Sequence, residues 1–190
     1  MDALDLLEQQ HLDIGGLIDR IAAEASPGRR TMLLTQLFRL VEAHVRIEET
    51  YLYPVCGDRM KGDRSQLHEA YEKHALMRFA ADNLLRTRAT DVRFEARLKL
   101  LKGLFEQHAI DEESWMFQKV KRDLTDEQLD VLGGHLERAY DLLLHLDTPA
   151  PVRAPMSRLR RTTRKGVAPE RNRAAAERAA VSNRLARIRV

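Results

Sequence analysis

Apolar residues recur with a helical period from about residue 2 to residue 146, and no stretch keeps the strict two-residue alternation of a strand. The pattern predicts five helices. The first spans about 2–25 and stops at the run Ser26-Pro27-Gly28-Arg29-Arg30. The second, about 29–56, carries a stripe of Leu33, Leu37, Leu40, Val41, Tyr51 and Leu52, with Pro54 and Gly57 ending or kinking its last turn. The third covers about 63–87, and the polar run 87–91 punctuates its end. The fourth, about 92–122, sets Leu98, Leu101, Phe105 and Trp115 along one face. The fifth follows a capping box, Thr125 at the cap and Gln128 three residues on, and runs to about 146 through a weak point at Gly133-Gly134. Short links between long helices favour antiparallel neighbours. The expected fold is all-α, an up-down-up-down four-helix bundle with an additional C-terminal helix.

Polar residues interrupt two of these stripes in the same way. The segment HVRIEETYLYPVC (44–56) matches HAIDEESWMFQKV (108–120) in its His, its Glu-Glu and its aromatic spacing. Upstream, Leu37, Leu40, Val41 and Glu42 align with Leu101, Leu104, Phe105 and Glu106. One helix earlier, His11 precedes His44 by 33 residues and His74 precedes His108 by 34. The unit is a helix with one central histidine followed by a helix with His-x-x-x-Glu-Glu, used twice.

Residues four apart stack on one helix face, so His44 with Glu48, and His108 with Glu112, point the same way. Both pairs lie inside an apolar stripe and therefore face the core. Buried carboxylates and imidazoles without partners are costly. Cations in their midst would remove that cost. A single His-x-x-x-Glu is an ordinary helical pair; two in matching frames, each preceded by an inward histidine, predict a metal site. The expected ligands are His11, His44, Glu48, His74, His108 and Glu112. Nitrogen and carboxylate donors without thiolates suit first-row metals, and two equivalent sets suggest two ions bridged by Glu48 and Glu112. Iron or manganese fits this better than a closed zinc site. Glu49 and Glu113, rotated about 100° from the ligands, are expected on the solvated flank, the alternative being contact with a ligand histidine. Tyr51, Tyr53, Trp115 and Phe117 read most simply as core packing, Tyr51 being the one of the four that could face the site. His68, His135 and His145 have no such partners.

Charge divides the chain. Of its 32 basic residues, twelve fall in 149–190 beside only two acidic ones, while 1–148 holds 20 basic and 27 acidic. The expected division is a bundle over 1–147 and a basic, Arg-rich tail over 148–190. The tail begins TPAPVRAP, lacks aromatics and reads as disordered, with a possible helix in its last twenty residues. It could meet nucleic acid or another anionic surface electrostatically, but no recognition motif is visible. The acidic N-terminus is unlike a secretory signal, no run is apolar enough to span a membrane, and the single Cys56 suits a reducing compartment. A cytoplasmic location is expected.

The order of these motifs resembles the hemerythrin-like, HHE cation-binding domain, over about residues 2–146. The segments LLEQQHLDI, EAHVRIEETYLYP, YEKHALM and FEQHAIDEESWMF carry the likeness. The resemblance implies a non-haem di-iron centre held by the same six residues. It implies binding or sensing of dioxygen, nitric oxide or peroxide, or iron handling; the alternatives are peroxide decomposition and iron donation to damaged clusters. Oxygen-carrying members have a second histidine one turn from that of the third helix, where this chain has Ala70 and Arg78. The proline expected after the second His-x-x-x-Glu segment is Gln118.

Overall fold

Three of the long helices start where the sequence offers partners for their free amides. Asp2 caps α1 (Ala3–Ala23) by accepting from the Leu4 and Asp5 amides, at 2.7 and 3.0 Å. Ser26 caps α2 (Pro27–Ile47), whose first position is Pro27. The run 26–30 therefore begins a helix as well as ending one, because proline at the first helical position lacks only an amide that would go unpaired. Helices α4 (Arg64–Leu85) and α5 (Phe94–Asp111) follow. For α7 (Asp126–His145), the Thr125 amide donates to Gln128 Oε1 at 3.0 Å and the Gln128 amide to Thr125 Oγ1 at 3.3 Å, the reciprocal box read from the sequence.

The structure, a computed structural model, describes residues 1–59 and 64–145. The expected basic tail lies outside the described residues. Helices α1, α2, α4 and α5 form the antiparallel bundle, each packed on two neighbours, and α7 lies against α1 and α2. Two apolar slabs fill it. One is built on Ile14, Leu37, Met77, Leu84, Leu98 and Phe105. The other is built on Leu7, Ile47, Leu52, Met116, Phe117 and Leu132. No described helix is long and apolar enough to cross a membrane.

The second and fourth predicted helices are not regular throughout. Each contains one π-helical turn, Glu48–Leu52 and Glu112–Met116, before continuing as α3 (Tyr53–Arg59) and α6 (Phe117–Asp123). In each, the amide five residues on donates back to the glutamate carbonyl: Tyr53 to Glu48, Phe117 to Glu112. Pro54 neither ends the helix nor explains the bulge, since the second copy has Gln118 there and bulges identically. A π turn adds one residue to the turn and so advances the register by one position.

Gly133 is no weak point either. A Cβ there would lie 2.7 Å from the Met1 carbonyl oxygen and 2.9 Å from the Ala3 nitrogen, so glycine lets the start of α1 sit directly on α7. Gly134 would meet only the movable guanidinium of Arg138 at 3.3 Å. Gly133→Ala is expected to destabilise by about 1–3 kcal/mol, whereas Gly134→Ala should be neutral or stabilising by up to about 1 kcal/mol. Urea unfolding of the two variants checks this; the opposite order would contradict the close approach.

Candidate metal centre

The six predicted residues meet in one slice between the apolar slabs. His11 comes from α1, His44 from α2, His74 from α4 and His108 from α5, while Glu48 and Glu112 open the two π turns. All six are buried, His44, Glu48 and His74 completely.

Hydrogen bonds at the outer nitrogens determine which imidazole nitrogen faces inward. His11 Nδ1–H donates to the Glu113 carboxylate at 2.7 Å, and His74 Nδ1–H to that of Glu49 at 3.1 Å. His44 Nδ1–H donates to Gln10 Oε1 at 2.9 Å. In all three rings the inward Nε2 then carries a lone pair. His44 Nε2 stands 3.3 Å from His108 Nε2. Glu48 divides its oxygens between the two sides: Oε1 lies 3.2 Å from His44 and 3.9 Å from His11, and Oε2 lies 3.3 Å from His74 and 3.7 Å from His108. Glu112 Oε2 lies 3.7 Å from His11 and 3.8 Å from His108.

Lone pairs therefore face lone pairs. Both oxygens of Glu48, Glu112 Oε2 and His11 Nε2 are buried without a hydrogen-bond donor. Two donors held 2.0–2.2 Å from one first-row ion stand about 3–4.4 Å apart, depending on the angle between them. The observed separations of 3.2–3.9 Å fall in that range. The atoms form two overlapping groups, His11, His44, Glu48, His108 and Glu48, His74, His108, Glu112, each within 4.8 Å. The donor set fits cations.

Protonation agrees. Burial, then the neighbouring imidazoles, holds His44 well below the usual histidine value. Burial likewise brings His108 down to about 3. Both rings are neutral at pH 7, as ligands must be. Burial and then the adjacent Glu112 push Glu48 well above the ordinary carboxylate range.

Three expectations need correcting. Glu49 is largely withdrawn from solvent, and Glu113, although its side chain is 42% exposed on the flank, also contacts a ligand histidine. Each grips a histidine of the other half of the repeat, and Arg78 in turn holds Glu49 by bonds of 2.8 and 3.2 Å. Half-burial raises the Glu49 carboxyl, but the bonds from His74 and Arg78 outweigh it and bring it to about 2. The aromatic at the site is Tyr53, not Tyr51. Its hydroxyl donates to Glu112 Oε1 at 2.6 Å and stands 2.9 Å from His74 Nε2, while Tyr51 stacks on His135 outside the slice. The π turn is the cause: α-helical counting from Glu48 favours residue 51 or 52, and the added residue turns 53 inward. Phe117, in the matching position, stacks flat on His11 with centroids 6.0 Å apart, so it too borders the slice. His68 and His145 are exposed, and His135 takes no part.

The chain is similar to known proteins. The family described as Hemerythrin HHE cation binding domain matches residues 2–143. A crystal structure of a hemerythrin HHE cation binding domain-containing protein from Mycobacterium kansasii is similar with a TM-score of 0.66 and 26% identity, over 76% of this chain and 88% of that one. A DNA nickase from a Nostoc species is 23% identical over 131 residues, 68% of this chain; the chain spans 36% of that relative's length.

The buried charges make the metal-free protein's stability depend on pH in two directions. Unfolded histidine protonates near 6.5 and folded His108 only near 3, so the unfolded state binds more protons between those values and stability falls as pH drops through them. Glu48 has the opposite sign: its folded carboxyl holds a proton above its ordinary 4.5, so stability is lost as pH rises through the raised value. Metal-free Glu48→Gln should therefore be more stable than metal-free wild type at pH 7, by on the order of 1–3 kcal/mol. The gap should close as the pH is lowered and Glu48 takes up its proton. Chemical unfolding under chelation measures it, and a less stable variant at pH 7 would contradict the unpartnered carboxylate.

Proposed function

This chain belongs to the hemerythrin HHE cation-binding domain family, and we propose that its buried slice holds two non-haem iron ions that meet a small molecule. One observation carries this reading: Glu48 turns one carboxylate oxygen to His11 and His44 and the other to His74 and His108. That is the arrangement of a bridge between two ions. His11, His44, Glu48, His74, His108 and Glu112 are the proposed ligands. Manganese or zinc would satisfy the same donors less distinctively. Iron would supply redox change and exchangeable coordination positions, which dioxygen, nitric oxide or peroxide requires.

The protein's own groups prepare that chemistry. Glu113, Glu49 and Gln10 fix three imidazoles with their inward nitrogens bare, which orients them and raises their basicity. Tyr53 holds Glu112 by one carboxylate oxygen and leaves the other directed at His11 and His108. The apolar slabs above and below exclude bulk water from the slice. We assign this role to a domain over 1–147, the basic segment 148–190 being separate from it and the compartment being the cytoplasm.

Protein expressed with ample iron is expected to carry two irons per chain by elemental analysis, with a visible spectrum that differs between aerobic and anaerobic preparation. Colourless protein with less than one metal per chain would end the proposal. Glu113→Ala and Glu49→Ala, which leave all six ligands in place, should weaken metal binding about 10–100-fold. Acid should strip the metal as protons compete for imidazoles of reference pKa about 6.5. Retention of the full load at about pH 4 would contradict a histidine-rich shell.

A further inference from the structure

The two halves of the repeat differ at one buried position beside the slice. One turn before His11 on α1 is Leu7, which is fully buried and packs in the apolar slab. One turn before His74 on α4 is Ala70, a single methyl in the corresponding place. Leucine closes its side; alanine leaves space. A cavity of about 130 Å³ occupies that region between α4 and α5, with Ala70, Trp115 and Met116 in its walls and His108 and Glu112 among its lining. The residue just before each histidine differs as well. Gln10 turns inward to His44, whereas its counterpart Lys73 lies at the cavity and ties α4 to α5, its Nζ 2.7 Å from Glu69 and 2.6 Å from Asp111.

We propose that this cavity is the route by which a small uncharged molecule reaches the His74–His108 side of the centre. The proposal rests on the metal reading above and adds where the small molecule arrives and of what kind it is. At about 130 Å³ the cavity suits small molecules rather than drug-sized ligands, whose pockets begin near 300 Å³. Charge disfavours anions: two carboxylates flank the single ammonium of Lys73, and Glu112 lies within. On the opposite side, the fully buried Leu7 fills the position that corresponds to Ala70, and Phe117 stacks flat on His11.

Ala70→Leu copies the residue that the other half already accommodates, and it should fill the cavity without disturbing the ligands. With nitric oxide as the probe on the anaerobic iron-loaded protein, stopped-flow absorbance should show association slowed several-fold, with iron per chain unchanged. Lys73→Ala, which removes the bar between α4 and α5, should speed it. A second readout needs no metal. Dissolved dioxygen should broaden the Met116 methyl NMR signal of the chelated protein more than that of Met77, which is fully buried in the other slab. Ala70→Leu should abolish that difference. Unchanged association in Ala70→Leu, or equal broadening of the two methionines in wild type, would overturn the route while leaving the iron content intact. Wild type without iron would instead sink the metal reading, and the methyl comparison would still decide the route.

Discussion

Six ionisable side chains share one slice of this bundle, and their inward atoms are acceptors facing acceptors. A fully buried carboxylate with no donor on either oxygen is among the costliest arrangements a protein can hold. Much else in the structure follows from keeping it. The outer imidazole nitrogens are tied down so that the inner ones stay bare, apolar slabs close the slice above and below, and a tyrosine occupies one oxygen of Glu112. Cations at the centre would turn the same set of contacts from a liability into a junction between the four helices.

The internal repeat explains how one short segment provides half of this arrangement. Each copy contributes a histidine, then a His-x-x-x-Glu pair, and then a glutamate that reaches across to the other copy's lone histidine. Neither half completes its own shell. Glu113 serves His11 and Glu49 serves His74, so the hairpins are interlocked by hydrogen bonds as well as by shared carboxylates. The symmetry is broken beside the slice at three pairs: Tyr53 against Phe117, Gln10 against Lys73, and Leu7 against Ala70.

Much of this was legible in the chain. Helical periodicity gave the bundle, the Thr125–Gln128 box gave the start of α7, and the paired spacing of His44, Glu48, His108 and Glu112 placed four polar side chains in the core. What escaped reading has one main cause. A π turn adds a residue without any marker in composition, and from that point the face assigned by 3.6-residue counting is wrong by one position. That is why Tyr53, five positions past Glu48, reaches the site and Tyr51 does not, whereas Glu49 and Glu113 precede the shift and meet histidines from other helices that a local pattern does not reveal. Gly133 was misread for a different reason: its neighbour is the start of α1, 130 residues away in sequence, and a local pattern carries no trace of it. The matching aromatics after each Glu-Glu were the available clue, since residues repeated five positions past a buried glutamate belong on its face only in a π turn.

Two cations bridged by Glu48 and Glu112 are the centre of the account, and anomalous diffraction at the iron edge from crystals of iron-loaded protein tests them most directly. Two peaks about 3.5–4 Å apart, enclosed by His11, His44, His74 and His108, are predicted. A single peak, or iron found only outside the slice, would contradict it.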